Sequence, residues 1–253
     1  MDTPDKEPDM DIEIPKTAKL KGVVDIVFLI DATGSMYPCI DAIKENIKLF
    51  VDVLTATDAN HGTIVKDWRA RVCGYRDHFY DAVPFIEFPF VRDASELKQQ
   101  LESLEATGGG DEPETLLDAL YSVLSWGSTD KDASVLDPKR WRYSRDAARV
   151  VIIFTDASAH PTIKQAEDMT IDDLRLALNN QRIWLYLFAP KHQSHGQLAK
   201  VEKSRYQPVG SVDPNNPTAA VEALRDFTSN KENFQEVLTM LAKSVSQSSV
   251  ADL

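Results

Sequence analysis

The 253-residue sequence has little cysteine, few basic residues relative to acidic ones, and no long apolar run. Its two cysteines, Cys39 and Cys73, lack metal-like spacing and are predicted to be buried thiols, which favours a reducing compartment. With 28 Lys and Arg against 40 Asp and Glu, the net charge is −12, which disfavours binding to nucleic acid or to an anionic membrane. No run could span a bilayer, and residues 1–11 lack the apolar core of a secretory signal. We therefore expect a cytoplasmic protein.

The clearest local pattern is a strand followed by a helix near the N-terminus. The β-branched, apolar run 23–30 predicts a strand buried on both faces of a parallel sheet, and it ends abruptly at Asp31. Thr33 and Ser35 follow, and after Tyr37 the apolar residues take helical spacing. Asp31, Thr33 and Ser35 are therefore placed at the carboxyl end of a central strand, where open α/β sheets bind ligands.

The whole chain alternates apolar strands with amphipathic helices. This order predicts an α/β fold, a doubly wound and mostly parallel sheet flanked by helices. Two prolines in 82–91 deny ladder donors, so that segment is predicted to be the one antiparallel edge strand. We expect one domain over 23–247, a disordered or loosely attached acidic lead at 1–22, and a short tail at 248–253.

Two later segments resemble the first loop in their position. A second apolar strand, 150–154, ends just before Asp156, and 108–114 combines a glycine triplet, acidic residues and a proline at a helix start. In a doubly wound sheet these loops meet at the carboxyl ends of adjacent strands. The predicted metal ligands are three carboxylates and two hydroxyls: Asp31, Thr33, Ser35, Glu114 and Asp156.

The chemistry of this set predicts a divalent cation. Three adjacent carboxylates repel one another unless a cation neutralises them, and hard oxygen ligands suit Mg²⁺ or Mn²⁺, with Ca²⁺ a further candidate. A helix cap is the alternative explanation for Thr33 or Ser35, because such hydroxyls satisfy free N–H groups. A cap does not explain an aspartate at the end of an apolar strand.

The motif Asp31-Ala-Thr-Gly-Ser35 resembles the D-x-S/T-x-S signature of the von Willebrand factor A (VWA) family, whose hallmark is a metal-ion-dependent adhesion site. The segment 108–114 is similar to the D-x-P-E loop of integrin β-subunit VWA domains and, in its Gly-Gly-Gly-Asp-x-Pro-Glu form, to VWA modules attached to alpha-kinases. The strand before Asp156 also matches these modules, although His160-Pro161 reverses their Pro and His. The resemblance covers roughly 23–241.

The resemblance implies a Rossmann-like fold and a binding device rather than an enzyme. It implies that Thr33 and Ser35 ligate the metal directly or through water, that Glu114 ligates directly, and that Asp31 and Asp156 do so directly or through water. An Asp or Glu from a partner protein would complete the shell. Intracellular relatives act as adaptors for larger assemblies, so an ATPase or a kinase-containing assembly is an expected partner.

A second metal ion, or a second shell around the first, is suggested by a looser match. Asp77 and Asp111 occupy positions similar to those that hold a further ion in integrin β domains, and His160 lies on a neighbouring loop. The alternatives are a salt bridge to Arg76, a helix N-terminal charge, and an ordinary surface histidine. A third family site is not expected, since uncharged residues follow Ser35.

Three other interpretations remain open. The same motif resembles the D-x-T-G-T of haloacid dehalogenase-type phosphohydrolases, in which the aspartate is a nucleophile beside Mg²⁺. The paired late acids of those enzymes are not found here. A metal-free scaffold is the other alternative. Trp141 and Tyr143, with neighbouring arginines, are interpreted as a solvated face rather than a partner contact.

Overall fold

The structure is a computed structural model that describes residues 22–230, except 56, 59–61, 64, 111, 214 and 217, together with 232 and 239. The acidic lead up to residue 21, the tail 248–253 and most of 231–247 at the end of the predicted domain lie outside the described residues. The domain limits therefore stay a prediction.

The described chain alternates strands and helices, as the sequence pattern predicted. The strands are β1 (Val23–Asp31), β2 (Thr57–Asp58), β3 (Gly62–Thr63), β4 (Asp67–Tyr75), β5 (Phe85–Glu87), β6 (Ala148–Phe154), β7 (Ile183–Lys191) and β8 (Arg205–Ser211). The helices are α1 (Tyr37–Thr55), α2 (Ala94–Glu102), α3 (Leu116–Ser125), α4 (Ile171–Asn180), α5 (Gln193–Leu198) and α6 (Ala219–Ser229), and a single 3₁₀ turn, Gly34–Met36, precedes α1. The short strands β2 and β3 pair antiparallel with each other, apart from the main sheet.

One six-stranded sheet has the order β5-β4-β1-β6-β7-β8. Only β5 is antiparallel to its neighbour, so the predicted fold class and the antiparallel edge strand are confirmed, although β5 is shorter than predicted. Strand β1 pairs with β4 on one side and with β6 on the other. The chain thus winds in opposite directions from β1, which makes its carboxyl end a topological switch point, where doubly wound folds bind ligands.

The apolar run of β1 is explained by two hydrophobic cores, one on each face of the sheet. Its alternate residues Ile26, Phe28 and Ile30 pack with α1, α2 and α6, whereas Val27 and Leu29 pack with α3, α4 and α5. Successive strand side chains point to opposite faces, so a strand covered on both sides is apolar wherever its side chains lack a buried polar partner. The buried, unbridged thiols of Cys39 and Cys73 confirm that prediction. Each helix in the described ranges is too short or too polar to cross a lipid bilayer.

The interpretation of the Trp141 region as a solvated face is wrong for Trp141 and Arg142, whereas Arg140 and Arg145 are exposed and Tyr143 is half-buried. Trp141 is fully buried and donates its indole N–H to the Val123 carbonyl at 3.1 Å. Arg142 is also buried, and its backbone N–H donates to a carboxylate oxygen of Asp25 at 2.8 Å. Arg69 binds the same carboxylate through two hydrogen bonds of 2.8 and 2.7 Å. A buried charge needs such partners, so this basic segment is drawn into the interior by Asp25.

Candidate metal centre

The carboxylate of Asp31 lies at the end of β1 and is held by three hydrogen bonds. Its Oδ1 accepts from the Thr33 backbone N–H at 3.0 Å and from the Thr33 hydroxyl at 2.7 Å, and its Oδ2 accepts from the Thr155 hydroxyl at 2.7 Å. The side chain is fully buried. Asp31 is therefore fixed at the switch point in one orientation. Thr155, which directly follows the neighbouring strand β6, was not predicted as part of the site.

The two predicted hydroxyl ligands lie side by side on the same loop. The oxygens of Thr33 and Ser35 are 3.3 Å apart. Thr33 occupies the position before the 3₁₀ turn, but its side chain makes no capping hydrogen bond and is directed to Asp31 instead. The helix-cap alternative therefore does not account for Thr33.

Gly109 of the glycine-rich loop lies close to both Thr33 and Glu114. Gly109 has φ +74°, and a Cβ placed there would lie 2.9 Å from the Thr33 Cβ and 3.0 Å from the Glu114 Oε1. The loop is tied down because Gly34 N–H donates to the Gly108 carbonyl at 3.2 Å. Only glycine combines a left-handed backbone with this close approach.

A short ladder joins the Glu114 loop to the loop after β6. Glu114 N–H donates to the Ser158 carbonyl, and His160 N–H donates to the Glu114 carbonyl, both at 2.9 Å. Glu112 accepts the Ser158 N–H at 2.6 Å. The structure thus places the Glu114 loop and the loop after β6 in direct contact. The first loop contacts the Glu114 loop through the Gly34–Gly108 hydrogen bond and through Thr33 beside Gly109.

Two buried carboxylate oxygens at this point have no hydrogen-bond partner: Glu114 Oε2 and Asp156 Oδ1. A buried, unsatisfied carboxylate oxygen is costly, so it points to a cation or a proton as its counterpart. Both oxygens are hard donors of the kind that Mg²⁺ and Mn²⁺ prefer. The residues present therefore fit a divalent ion.

The pKa values of these carboxyls are raised, first by burial and then by neighbouring negative charge. Burial, and after it the charges of Asp31, Asp77 and Asp156, raise the pKa of Glu114 from 4.5 to about 9. Burial and the Asp156 charge raise the pKa of Asp31 from 3.8 to about 7, against the hydrogen bonds from Thr33 and Thr155. Burial also raises the pKa of Asp156, and hydrogen bonding from Ser35 opposes it. A divalent cation would reverse these shifts by favouring the ionised forms.

Acidic side chains alone do not complete a metal site. Across the described part of the chain, no three Asp, Glu, His or Cys side chains lie close enough together to hold an ion between them. Asp31, Glu114 and Asp156 therefore do not all lie close enough to hold one ion directly in this arrangement, so the predicted ligand set needs the Thr33 and Ser35 hydroxyls, with at least one carboxylate acting through water.

Two of the three residues of the predicted second site, Asp77 and His160, lie in the described part of the chain. Asp77 Oδ2 is buried without a hydrogen-bond partner, 3.7 Å from His160 Nε2, which also has none. The predicted alternative, a salt bridge to Arg76, is not among the ion pairs of the described residues; Arg76 donates to the Glu105 carbonyl at 2.9 Å. Asp111 lies outside the described residues. A second ion at Asp77 stays a prediction.

Asp81 is a further acidic residue of this region that the sequence analysis missed. Its Oδ2 accepts the backbone N–H groups of Gly109 at 3.0 Å and Asp77 at 3.2 Å. It therefore positions the glycine-rich loop from a distant turn. Its only sequence signal is an acid in the loop after β4, and that alone does not distinguish it from a solvated turn residue.

Gly109→Ala should destabilise the fold more than Gly127→Ala. Both positions have positive φ, +74° and +66°, which costs a non-glycine residue about 1–2 kcal/mol. At Gly127 nothing lies within 4 Å of the added Cβ, whereas at Gly109 it meets Thr33 and Glu114. Urea unfolding of the two variants measures the difference. Equal losses of stability would contradict the close approach of Glu114 to Thr33.

Comparisons with known proteins identify the family of the chain. The model of the von Willebrand factor type A domain matches residues 25–211, and the chain belongs to that family. Among curated proteins it is similar to the alpha-protein kinase vwkA of Dictyostelium discoideum, with 29% identity over 147 residues, 58% of this chain and 20% of the kinase. The chain spans about a fifth of that relative. The VWA prediction is confirmed, and the type of its metal site stays a prediction.

Among solved structures, the chain resembles proximal thread matrix protein 1 (PTMP1) from the mussel byssus. The TM-score is 0.52 with 14% sequence identity, and the match covers 88% of this chain and 47% of that one. A second crystal form of the same protein gives a TM-score of 0.49. At this identity the first similarity concerns the fold alone.

Proposed function

We propose that this chain binds a partner protein through a divalent metal ion, most simply Mg²⁺, at the carboxyl end of β1. VWA domains are generally metal-dependent protein interaction modules, and the chain belongs to that family. The observation that carries the proposal is the pair of buried, unpartnered oxygens on Glu114 and Asp156 beside the Thr33 and Ser35 hydroxyls. Mn²⁺ or Ca²⁺ could serve in place of Mg²⁺ because the donors are all oxygen.

The ligand set of this proposal is Asp31, Thr33, Ser35, Glu114 and Asp156. The bound ion would supply a positive centre that accepts a carboxylate from the partner. Thr33 and Ser35 share one side of the site, and Asp31 holds the Thr33 hydroxyl in place. Glu114 is positioned by its ladder to Ser158. These residues bind and orient, and no step in this role requires them to react.

A binding role fits Asp31 better than the nucleophilic role of a phosphohydrolase. Both its oxygens already accept hydrogen bonds from Thr33 or Thr155, and the side chain is fully buried. A nucleophile needs an exposed lone pair aligned with its substrate. We therefore propose that the chain is not an enzyme.

Exposed apolar side chains near the site favour a protein as the partner. Four residues form what we call the hydrophobic rim: Tyr37, Phe79, Tyr80 and Val83. Each is 49–65% exposed and lies on the helix after the first loop or in the turn after β4. In the described part of the chain, the other large exposed hydrophobics are Val135 and Leu176. Exposed aromatic residues are enriched at the centres of protein interfaces.

The proposal also covers the assembly and the compartment in which the chain acts. The similar alpha-protein kinase vwkA carries far more chain than the segment matched here. A partner within a larger kinase- or ATPase-containing assembly is accordingly proposed, in the cytoplasm, with nucleic acid and membranes disfavoured by the net charge of −12.

Metal-dependent capture tests the proposal. The immobilised chain should retain one or more proteins from a cell extract in Mg²⁺ and release them in EDTA, and Asp31→Asn should not retain them. Quantitative mass spectrometry of the eluates measures this. Retention that is unchanged by both EDTA and Asp31→Asn would overturn the metal-dependent role.

Beyond the contact between the metal ion and the partner's carboxylate, the hydrophobic rim should contribute most of the binding energy. Replacing Phe79 and Tyr80 with serine should reduce retention of the Mg²⁺-dependent proteins at least tenfold, because truncating a central aromatic residue often costs about 2 kcal/mol or more. Val135→Ser and Leu176→Ser are matched controls, since both side chains are exposed but lie on other elements. If all four serine substitutions had equal effects, the rim would not be part of the interface.

A further inference from the structure

A groove of about 500 Å³ lies beside the candidate metal centre. Its walls come from the start of α3, the loop after β6, the start of α4 and the start of α5. Ten of the described residues line it; one of them, His192, is a histidine, and none of the ten is Asp, Glu, Lys or Arg. This is unusual for its setting, because 27% of the whole chain is charged and the neighbouring loops carry several carboxylates.

The groove and the predicted metal ligands share two loops. Pro113 lines the groove and directly precedes Glu114. Ser158 also lines it, two residues after Asp156, and is bonded through its carbonyl to Glu114 N–H at 2.9 Å. A molecule that reaches the metal from this side therefore passes over the groove.

The lining combines an apolar floor with uncharged polar groups. Pro113, Leu117 and Ile171 supply apolar surface, and Gln193 and Gln197 supply side-chain amides. An amide offers both a donor and an acceptor, which is what an extended peptide backbone requires. A charged side chain would lose hydration here without an opposite charge among the lining residues.

We infer that the groove binds an extended, uncharged and partly apolar segment of the partner protein, next in sequence to the carboxylate that completes the metal shell. The inference rests on the proposed function and adds the class of sequence that is recognised. Pockets of this size accommodate a molecule of a few residues. The neutral lining selects against charged side chains on that flank, while the hydrophobic rim lies among the other loops around the site.

Selection from a library of random linear peptides displayed on phage tests the inference. The probe is the full chain with Mg²⁺, and each variant is panned separately. Gln193→Glu with Gln197→Glu changes only the charge of the groove, because glutamate is nearly isosteric with glutamine. Gln99→Glu, on the exposed surface of α2, makes the same chemical change elsewhere.

Peptides selected on the wild type should carry an Asp or Glu flanked on one side by uncharged, partly apolar residues. The groove double variant should bind them at least tenfold more weakly and should select Lys or Arg on that flank, while Gln99→Glu should match the wild type. If Mg²⁺-dependent peptides bind the double variant and the wild type equally well, the groove inference is wrong and the metal-dependent role still stands. If the selected peptides bind as tightly in EDTA, and to Asp31→Asn, as they bind the wild type in Mg²⁺, the metal-dependent role is wrong as well. The same conclusion follows if no peptide is selected.

Discussion

Asp31→Asn should raise the melting temperature of the metal-free protein and abolish the further rise that Mg²⁺ causes in the wild type. The two effects have one origin. Burial raises the pKa of Asp31 from 3.8 to about 7, so at pH 8 the fold holds a carboxylate whose ionised form is disfavoured by roughly 4 kcal/mol. Asparagine keeps the Oδ1 acceptor for Thr33 and removes the charge. The metal, however, needs that charge.

The expected sizes are large enough for a simple melting experiment. In a domain of this length about 1 kcal/mol corresponds to roughly 2–4 °C, so relief of the buried charge should raise the metal-free melting temperature by at least about 5 °C. For the wild type, Mg²⁺ at a hundredfold excess over its dissociation constant adds about 2.7 kcal/mol. Differential scanning fluorimetry at pH 8, with EDTA or with Mg²⁺, measures both shifts.

The matched control is Asp130→Asn, at an exposed position, which should change neither melting temperature. A wild type that does not respond to Mg²⁺, Mn²⁺ or Ca²⁺ would favour the metal-free scaffold. A Mg²⁺ response that survives in Asp31→Asn would place the ion elsewhere on the chain.

Mg²⁺ affinity should increase steeply with pH, by about a hundredfold per pH unit below pH 7 and about tenfold per unit between pH 7 and 9. The ion binds the ionised carboxylates, so each proton that it displaces adds one factor of ten per unit. The pKa of Asp31 is about 7 and that of Glu114 about 9, so two protons are displaced below pH 7 and one above it. Glu114→Gln should flatten the dependence above pH 7 and weaken binding.

The stability of the metal-free protein should change with pH in the opposite direction. Both folded-state pKa values exceed the ordinary values of 3.8 and 4.5, so the folded state binds more protons than the unfolded state across this window. Stability therefore falls as the pH rises from about 4 to 9, and saturating Mg²⁺ should offset the fall. Isothermal titration calorimetry in two buffers of different ionisation enthalpy counts the released protons. An affinity independent of pH would mean that neither carboxyl binds the ion.

Several parts of this site could be predicted because they depend on local pattern and on chain topology. The run of apolar residues 26–30 in β1 identifies a strand covered on both faces, and Asp31 ends that run where the loop begins. The alternation of strands and helices implies a switch point, and the glycine triplet before Glu114 marks a close approach. Gly109 indeed lies against Thr33 in the structure.

Other contacts were not predictable from local pattern. Asp81 supports Gly109 across 28 residues, and Asp25 draws Arg142 into the interior across 117 residues. A polar stretch has the same sequence pattern whether water or a distant partner satisfies its groups. The burial of Trp141 and Arg142 was missed for that reason.

Hydrophobic periodicity and the connections between neighbouring elements were enough to predict the fold class, the mostly parallel sheet and the chemical types available at the ends of β1 and β6. Folding was needed to show that Thr155 holds Asp31, that Glu114 Oε2 and Asp156 Oδ1 are left without hydrogen-bond partners, and that a groove with no Asp, Glu, Lys or Arg among its described lining residues adjoins them. Hydrogen bonding, desolvation and cavity shape depend on side chains from segments far apart in sequence, which only the folded chain brings within a few ångströms of one another.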